Sequence, residues 1–192
     1  MDTITVPLID VFKTRFGFIA DETLKTNLAI EMQYISFMVS LSDNRLPGFV
    51  KYTIYKDIIV HTACIIESLL SYKLQKMLHE GTIQPAAVTF KSATVSAFKE
   101  IYISPAKDFV IAQYKQGYKE EFLKVTTNFK NINDLAKKVG VINKSLFEKR
   151  ENIRKKRNKI HLIGLNDIED KYQKPDIEDT FNLASQIIVL VK

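Results

Sequence analysis

Three features of the 192-residue chain point to a mainly α-helical bundle interrupted by a small β-hairpin or meander. Apolar residues recur at three- and four-residue spacing through most of the chain, and helix-capping residues precede these runs while glycines follow them. Between about residues 86 and 126 the pattern changes to alternation among β-forming residues. With 46% hydrophobic and 26% charged residues there is enough apolar material for one core, so a single domain over 1–192 is expected.

Thr3 to Phe12 alternates loosely around Pro7 and fits a short strand or an irregular lead-in equally. Asp21 offers an N-cap to a first helix in which Leu24, Leu28, Ile35, Met38 and Leu41 keep helical spacing to about Ser42. Asp43-Asn44 and Pro47-Gly48 then break it. A longer helix is predicted from about Tyr52 to Glu80, before Gly81. Its segment Ile58 to Leu70, IIVHTACIIESLL, is apolar on nearly every face and belongs at the centre of the core. His61, Glu67 and Ser68 then become buried polar groups in need of partners. His61, Cys64 and Glu67 stand three apart, but each such step turns a helix by about 300°, so they fan out rather than converge on a metal.

Val95, Ala97, Ile101 and Ile103 alternate, and after Ser104-Pro105 comes Phe109 to Tyr114, with a second break at Gln116-Gly117. This reads as the hairpin or meander, with a helix over Val95 to Ile103 as the competing reading. Tyr102, Tyr114 and Tyr118 among lysines are a mixture that can stack on single-stranded nucleic acid, but the favoured reading is that they pack a ribbon onto the helices. Asn131 or Asn133 can cap a short helix ending at Val139, with Gly140 at C′. Asn143 begins a basic helix closed by Gly164. A polar linker, Leu165 to Gln173, leads to a last helix opened by Pro175-Asp176, with Ile177, Phe181, Ala184, Ile188 and Val191 on its inner side. The Tyr52 to Glu80 and Asn143 to Gly164 helices are expected to pack together, antiparallel or nearly so.

Charge and cysteine content narrow the chemistry. The balance of 28 Lys+Arg to 22 Asp+Glu gives +6, compatible with a polyanionic partner. One cysteine and three histidines do not make a disulfide framework and disfavour a zinc site, and no apolar run approaches the ~20 residues that span a bilayer. A soluble cytoplasmic protein without cofactor or metal is the expectation.

The stretch that suggests function is Arg150 to Gly164. On a helix, Arg150, Arg154, Arg157 and His161 form one ridge about 60° wide, beside a stripe of Leu146, Ile153 and Ile160. Glu67, in the core helix, is a candidate partner for a cation of this ridge. Lys155, Lys156 and Lys159 lie off it.

Arg154-Lys155-Lys156-Arg157-Asn158-Lys159-Ile160-His161 resembles the signature of the HEPN superfamily, in which an arginine, frequently followed by a polar residue, precedes a histidine by four to six intervening positions on a late helix. The apolar Ile58 to Leu70 segment with Glu67 also looks like the earlier core helix of bacterial members. The likeness covers about 45 residues. Arg157-Asn158 supplies the dipeptide but only three residues separate it from His161. Arg154 has six intervening residues but is followed by Lys155. The resemblance implies a HEPN-like bundle and a metal-independent endoribonuclease, in a toxin or phage-defence setting, acting at a homodimer interface where two motifs face each other. It implies Arg154, Arg157, Asn158 and His161 as catalytic residues, Lys155, Lys156 and Lys159 as RNA-binding, and Glu67 as support. Other proteins of this type are non-catalytic modules that bind RNA or nucleotides, or that partner an antitoxin or nucleotidyltransferase.

Overall fold

The computed structural model describes residues 5–103, 110–124, 126–158 and 172–192, of which 93–103 and 110–116 are described through the backbone alone. The element that organises the rest is α3 (Gly48–His79), against which α2, α4, α5 and α6 all pack. Its core-facing residues include Ile58, Ile59, Ile66, Leu69, Leu70 and Leu74, none of them exposed. It begins four residues before the expected start at Tyr52, because Pro47 leads into the helix and its carbonyl accepts the Lys51 N–H at 3.0 Å. What reads as a Pro-Gly break is therefore the helix entrance.

Helix α2 (Glu22–Ser42) has the expected bounds, with the Asp21 carboxylate accepting from Leu24 N at 3.0 Å. The lead-in is corrected: Ile9–Arg15 forms a short helix, α1, that buries Phe12, and the chain beyond it buries Phe16 and Ile19. Three apolar anchors on one side of a turn hold it, which neither a strand nor irregular chain would require.

After a 3-10 turn at Pro85–Val88, β1 (Thr89–Ile103) pairs antiparallel with β2 (Val110–Phe122), from Thr89 opposite Phe122 to Ile103 opposite Val110. This decides between the two readings of Val95 to Ile103 in favour of a strand. The register shifts between Val95 and Ala97 and between Glu100 and Tyr102, where a bulged residue adds local twist. Gly117 does not break the second strand but pairs with Thr94.

Helix α4 (Phe129–Lys138) is capped by Asn128, whose side chain accepts from Asn131 N at 3.0 Å, and not by Asn131 or Asn133. Asn133 is wholly buried and faces α5. Gly140 ends this helix with φ 76°, the left-handed conformation that glycine adopts without strain. Helix α5 (Lys144–Asn158) opens with Asn143 accepting from Leu146 N, as expected. Its expected end at Gly164 lies outside the described residues. Helix α6 (Lys174–Val191) starts with a capping box between Gln173 and Asp176 and buries Ile177, Leu183, Ala184, Ile187 and Val191. The core is thus a helical bundle carrying a small two-stranded sheet. No helix among the described residues is long and apolar enough to cross a membrane.

Candidate nucleic-acid interface

Helix α5 carries two cationic faces with different surroundings. The arginine face turns inward, toward α3 and α4. Arg150 is 0% exposed and its guanidinium lies 5.0 Å from the Phe129 ring centroid. The spacing that groups it with Arg154 and Arg157 holds, but its expected place at the edge of the packed surface does not: Phe129 supplies an aromatic face that draws the guanidinium into the core. Burial pulls its pKa down to about 9, against the opposing pull of Glu67 and Glu151, so it remains charged at neutral pH.

Arg157 and Arg154 are both held by carboxylates, in different ways. Arg157 Nη1 donates to Glu67 Oε2 at 2.8 Å, a contact that spans 90 residues of sequence and joins α5 to the core helix. Its guanidinium also lies 5.7 Å from the Phe129 ring. Burial raises the Glu67 pKa, and Arg157 and Arg150 oppose that rise. Arg154 instead presents Nε and Nη2 to Glu151 Oε2, each at 2.9 Å, within its own helix. Asn133 Nδ2 donates to the other oxygen of Glu151 at 2.7 Å. These bonds outweigh the effect of burial and lower the Glu151 pKa.

The lysine face opens on a cavity of about 550 Å³ between α5 and α6. Lys149, Lys155 and Lys156 line it on one side, and Asp176, Asp179, Asn182 and Gln186 on the other. Lys156 forms an ion pair with Asp176, and the Tyr172 hydroxyl donates to the Lys156 carbonyl at 3.0 Å. Lys155 stays exposed, as does Asn158 at the last described turn. Three residues of the motif, Lys159, Ile160 and His161, lie outside the described residues.

No family model matches the chain, and neither a curated protein nor a solved structure matches it. What its side chains can do chemically therefore rests on geometry. Arginines fixed by carboxylates are pre-oriented for planar oxyanions, and lysines around a cleft neutralise phosphate without fixing its orientation.

The sequence reading placed His61, Glu67 and Ser68 in a surrounded core. Instead one stripe of α3 stays half-buried, because its neighbour α2 brings polar groups to it. His61 Nδ1 lies 2.6 Å from Glu31 Oε2, and the Tyr34 ring centroid is 4.5 Å from that of His61. Cys64, one turn on, has its thiol pKa raised, first by burial. Among the described residues no three His, Cys, Asp or Glu side chains converge as a metal site would require. Of the tyrosines considered for stacking, Tyr118 is exposed, and the side chains of Tyr102 and Tyr114 are outside the described set. Phe129, Asn133 and Glu151 were missed as partners of the arginine face. Only the arginine spacing on α5 hinted that such partners must exist.

Proposed function

We propose that the protein is a metal-independent endoribonuclease of HEPN type that cleaves single-stranded RNA. The observation that carries this reading is Arg157: one bond from Nη1 to Glu67 orients it, while Nε and Nη2 have no hydrogen-bond partner among the described residues. That leaves a planar pair of donors for a phosphate, while Lys149, Lys155 and Lys156 of the same helix line the separate cleft toward α6. In the proposed step the ribose 2′-oxygen attacks phosphorus and the bond to the 5′-oxygen breaks, giving a cyclic 2′,3′-phosphate. His161 removes the 2′-OH proton or supplies one to the departing 5′-oxygen, and Arg157 stabilises the charge gathering on the phosphate. Asn158, exposed next to Arg157, orients the phosphate or the imidazole. Lys155, Lys156 and Lys159 draw in the RNA strand.

Arg154 acts differently in this proposal. Its two bonds to Glu151 make it a brace for the helix, and the turnover-determining arginine is Arg157. Two copies of the motif facing one cleft in a homodimer let one His161 act as base and the other as acid. A second reading, a non-catalytic RNA- or nucleotide-binding module, is favoured by the internal carboxylates that partly neutralise both arginines. Incubation of purified protein with single-stranded RNA in EDTA separates the two. The expected outcome is cleavage that His161→Ala abolishes, with RNA binding and melting temperature little changed. Intact RNA with wild-type protein at any dimer-forming concentration sinks the catalytic reading.

A further inference from the structure

Among the described residues none of the Nε, Nη1 and Nη2 donors of Arg150 has a hydrogen-bond partner, although the residue is 0% exposed. A buried guanidinium without an acceptor destabilises the fold, and a methionine of similar length offers the same packing against Phe129 without the charge. The arginine therefore needs a reason other than packing. Two carboxylates act on it electrostatically, Glu67 more strongly than Glu151. Glu151 is committed, with one oxygen taken by Asn133 and the other by Arg154. Among the described residues Glu67 is bonded only through Oε2, to Arg157. It also borders a cavity of about 330 Å³ with Ser68, Ser71, Gln75 and Thr127, so space lies beside its carboxylate. One carboxylate thus stands in the field of two guanidiniums that lie 5.0 and 5.7 Å from the Phe129 ring centroid, and it is bonded to one of them.

We propose that Glu67 is a displaceable carboxylate: when an RNA phosphate takes Arg157, Glu67 passes its hydrogen bond from Arg157 to Arg150. This rests on the reading that Arg157 receives a phosphate. Without Arg150, an arriving phosphate leaves Glu67 half-buried, unpaired and facing a like charge. With Arg150 as acceptor of the hand-off, one charge-assisted pair becomes two, phosphate with Arg157 and Glu67 with Arg150. No proton moves and no covalent bond changes. Arg150 is then a positioning residue, and its buried charge is a reserve partner for a carboxylate that must let go.

The test is a double-mutant cycle on binding, using a fluorescein-labelled single-stranded 2′-O-methyl RNA oligonucleotide, which has no 2′-OH to cleave. Arg150→Met in the wild-type background is expected to weaken binding about tenfold, the equivalent of one lost charge-assisted hydrogen bond. In a Glu67→Gln background Arg157 is no longer held by a full charge, and the same substitution is expected to change affinity by less than about twofold. Equal losses in both backgrounds, or no loss in either, overturn the hand-off while leaving RNA binding intact. Failure of all four proteins to bind the oligonucleotide at low salt overturns the phosphate-binding reading and the hand-off together. Should Arg150→Met not fold, Arg150→Gln, which keeps the volume and removes the charge, carries the same comparison.

Discussion

The two arginine–glutamate pairs of α5 use the same chemistry to opposite ends. Arg154 and Glu151 are neighbours on one helix, bonded twice to each other and once to Asn133, and the carboxylate pKa is lowered. Arg157 and Glu67 come from helices far apart in sequence, share one hydrogen bond, and the carboxylate pKa is raised by burial despite two cations nearby. The first pair is saturated and braces the α4–α5 contact. The second is under-bonded and lies in the field of a third group, Arg150, which has no acceptor of its own among the described residues. A count of salt bridges treats them as equals, whereas the number of bonds per carboxylate shows which one is free to change partners.

Removing each carboxylate sharpens the contrast. Glu67→Leu removes the oxygen that accepts from Arg157 Nη1, an acceptor that mere protonation leaves in place, and is expected to cost roughly 3 kcal/mol. Glu151→Leu frees Arg154 to turn toward solvent but leaves the buried Asn133 amide without its acceptor, for a loss of roughly 1.5 kcal/mol. Urea midpoints of the two variants measure the difference. Equal losses, or a larger one for Glu151→Leu, break the comparison.

A smaller effect, but one of opposite sign in the two pairs, is expected from pH. Glu151 has a folded pKa below the ordinary carboxylate value near about 4.3. Its contribution to stability is present above that value and lost as pH falls through the lowered one. Glu67 has a raised folded pKa, so the folded state binds the proton more readily than the unfolded chain, and stability declines as pH rises from the ordinary value through the raised one. Relative to wild type, Glu151→Gln is therefore expected to flatten the acid limb of the stability curve. Glu67→Gln is expected to remove a decline on the way from the carboxylate range toward neutrality. Chemical unfolding at a series of pH values reads both, and curves that shift in the same direction contradict the account.

Much of the helical layout was legible because it is written locally. The Asp21 cap and the apolar spacing that follows it give α2 its bounds, and Gly140 ends α4 as its conformational freedom suggests. Errors arose where a local signal has two meanings. Pro47-Gly48 belongs to the break after α2 as expected but also opens α3, four residues before Tyr52, and Asn131 and Asn133 read as caps while Asn128 caps α4 and Asn133 turns inward to Glu151. The arginine ridge was legible as a ridge, since helical spacing fixes which residues share a face. Glu67 was legible as a partner for one of its cations, but the burial of Arg150 was not, because Phe129 lies on α4 and leaves no trace in the sequence of α5. Of the proposed site, Glu67, Arg154, Lys155, Lys156, Arg157 and Asn158 have described positions while Lys159 and His161 do not, and the resemblance carries the catalytic roles.

The claim on which the account turns is that Arg157, rather than Arg154, meets the scissile phosphate. Single-turnover cleavage of single-stranded RNA in EDTA, with saturating enzyme, compares Arg157→Ala with Arg154→Ala directly. Arg157→Ala is expected to slow cleavage by about a hundredfold or more, the usual consequence of losing a donor to a developing oxyanion, while Arg154→Ala slows it only a few-fold. A hundredfold loss in Arg154→Ala beside near-normal cleavage in Arg157→Ala contradicts the account and assigns the phosphate to the arginine bound to Glu151.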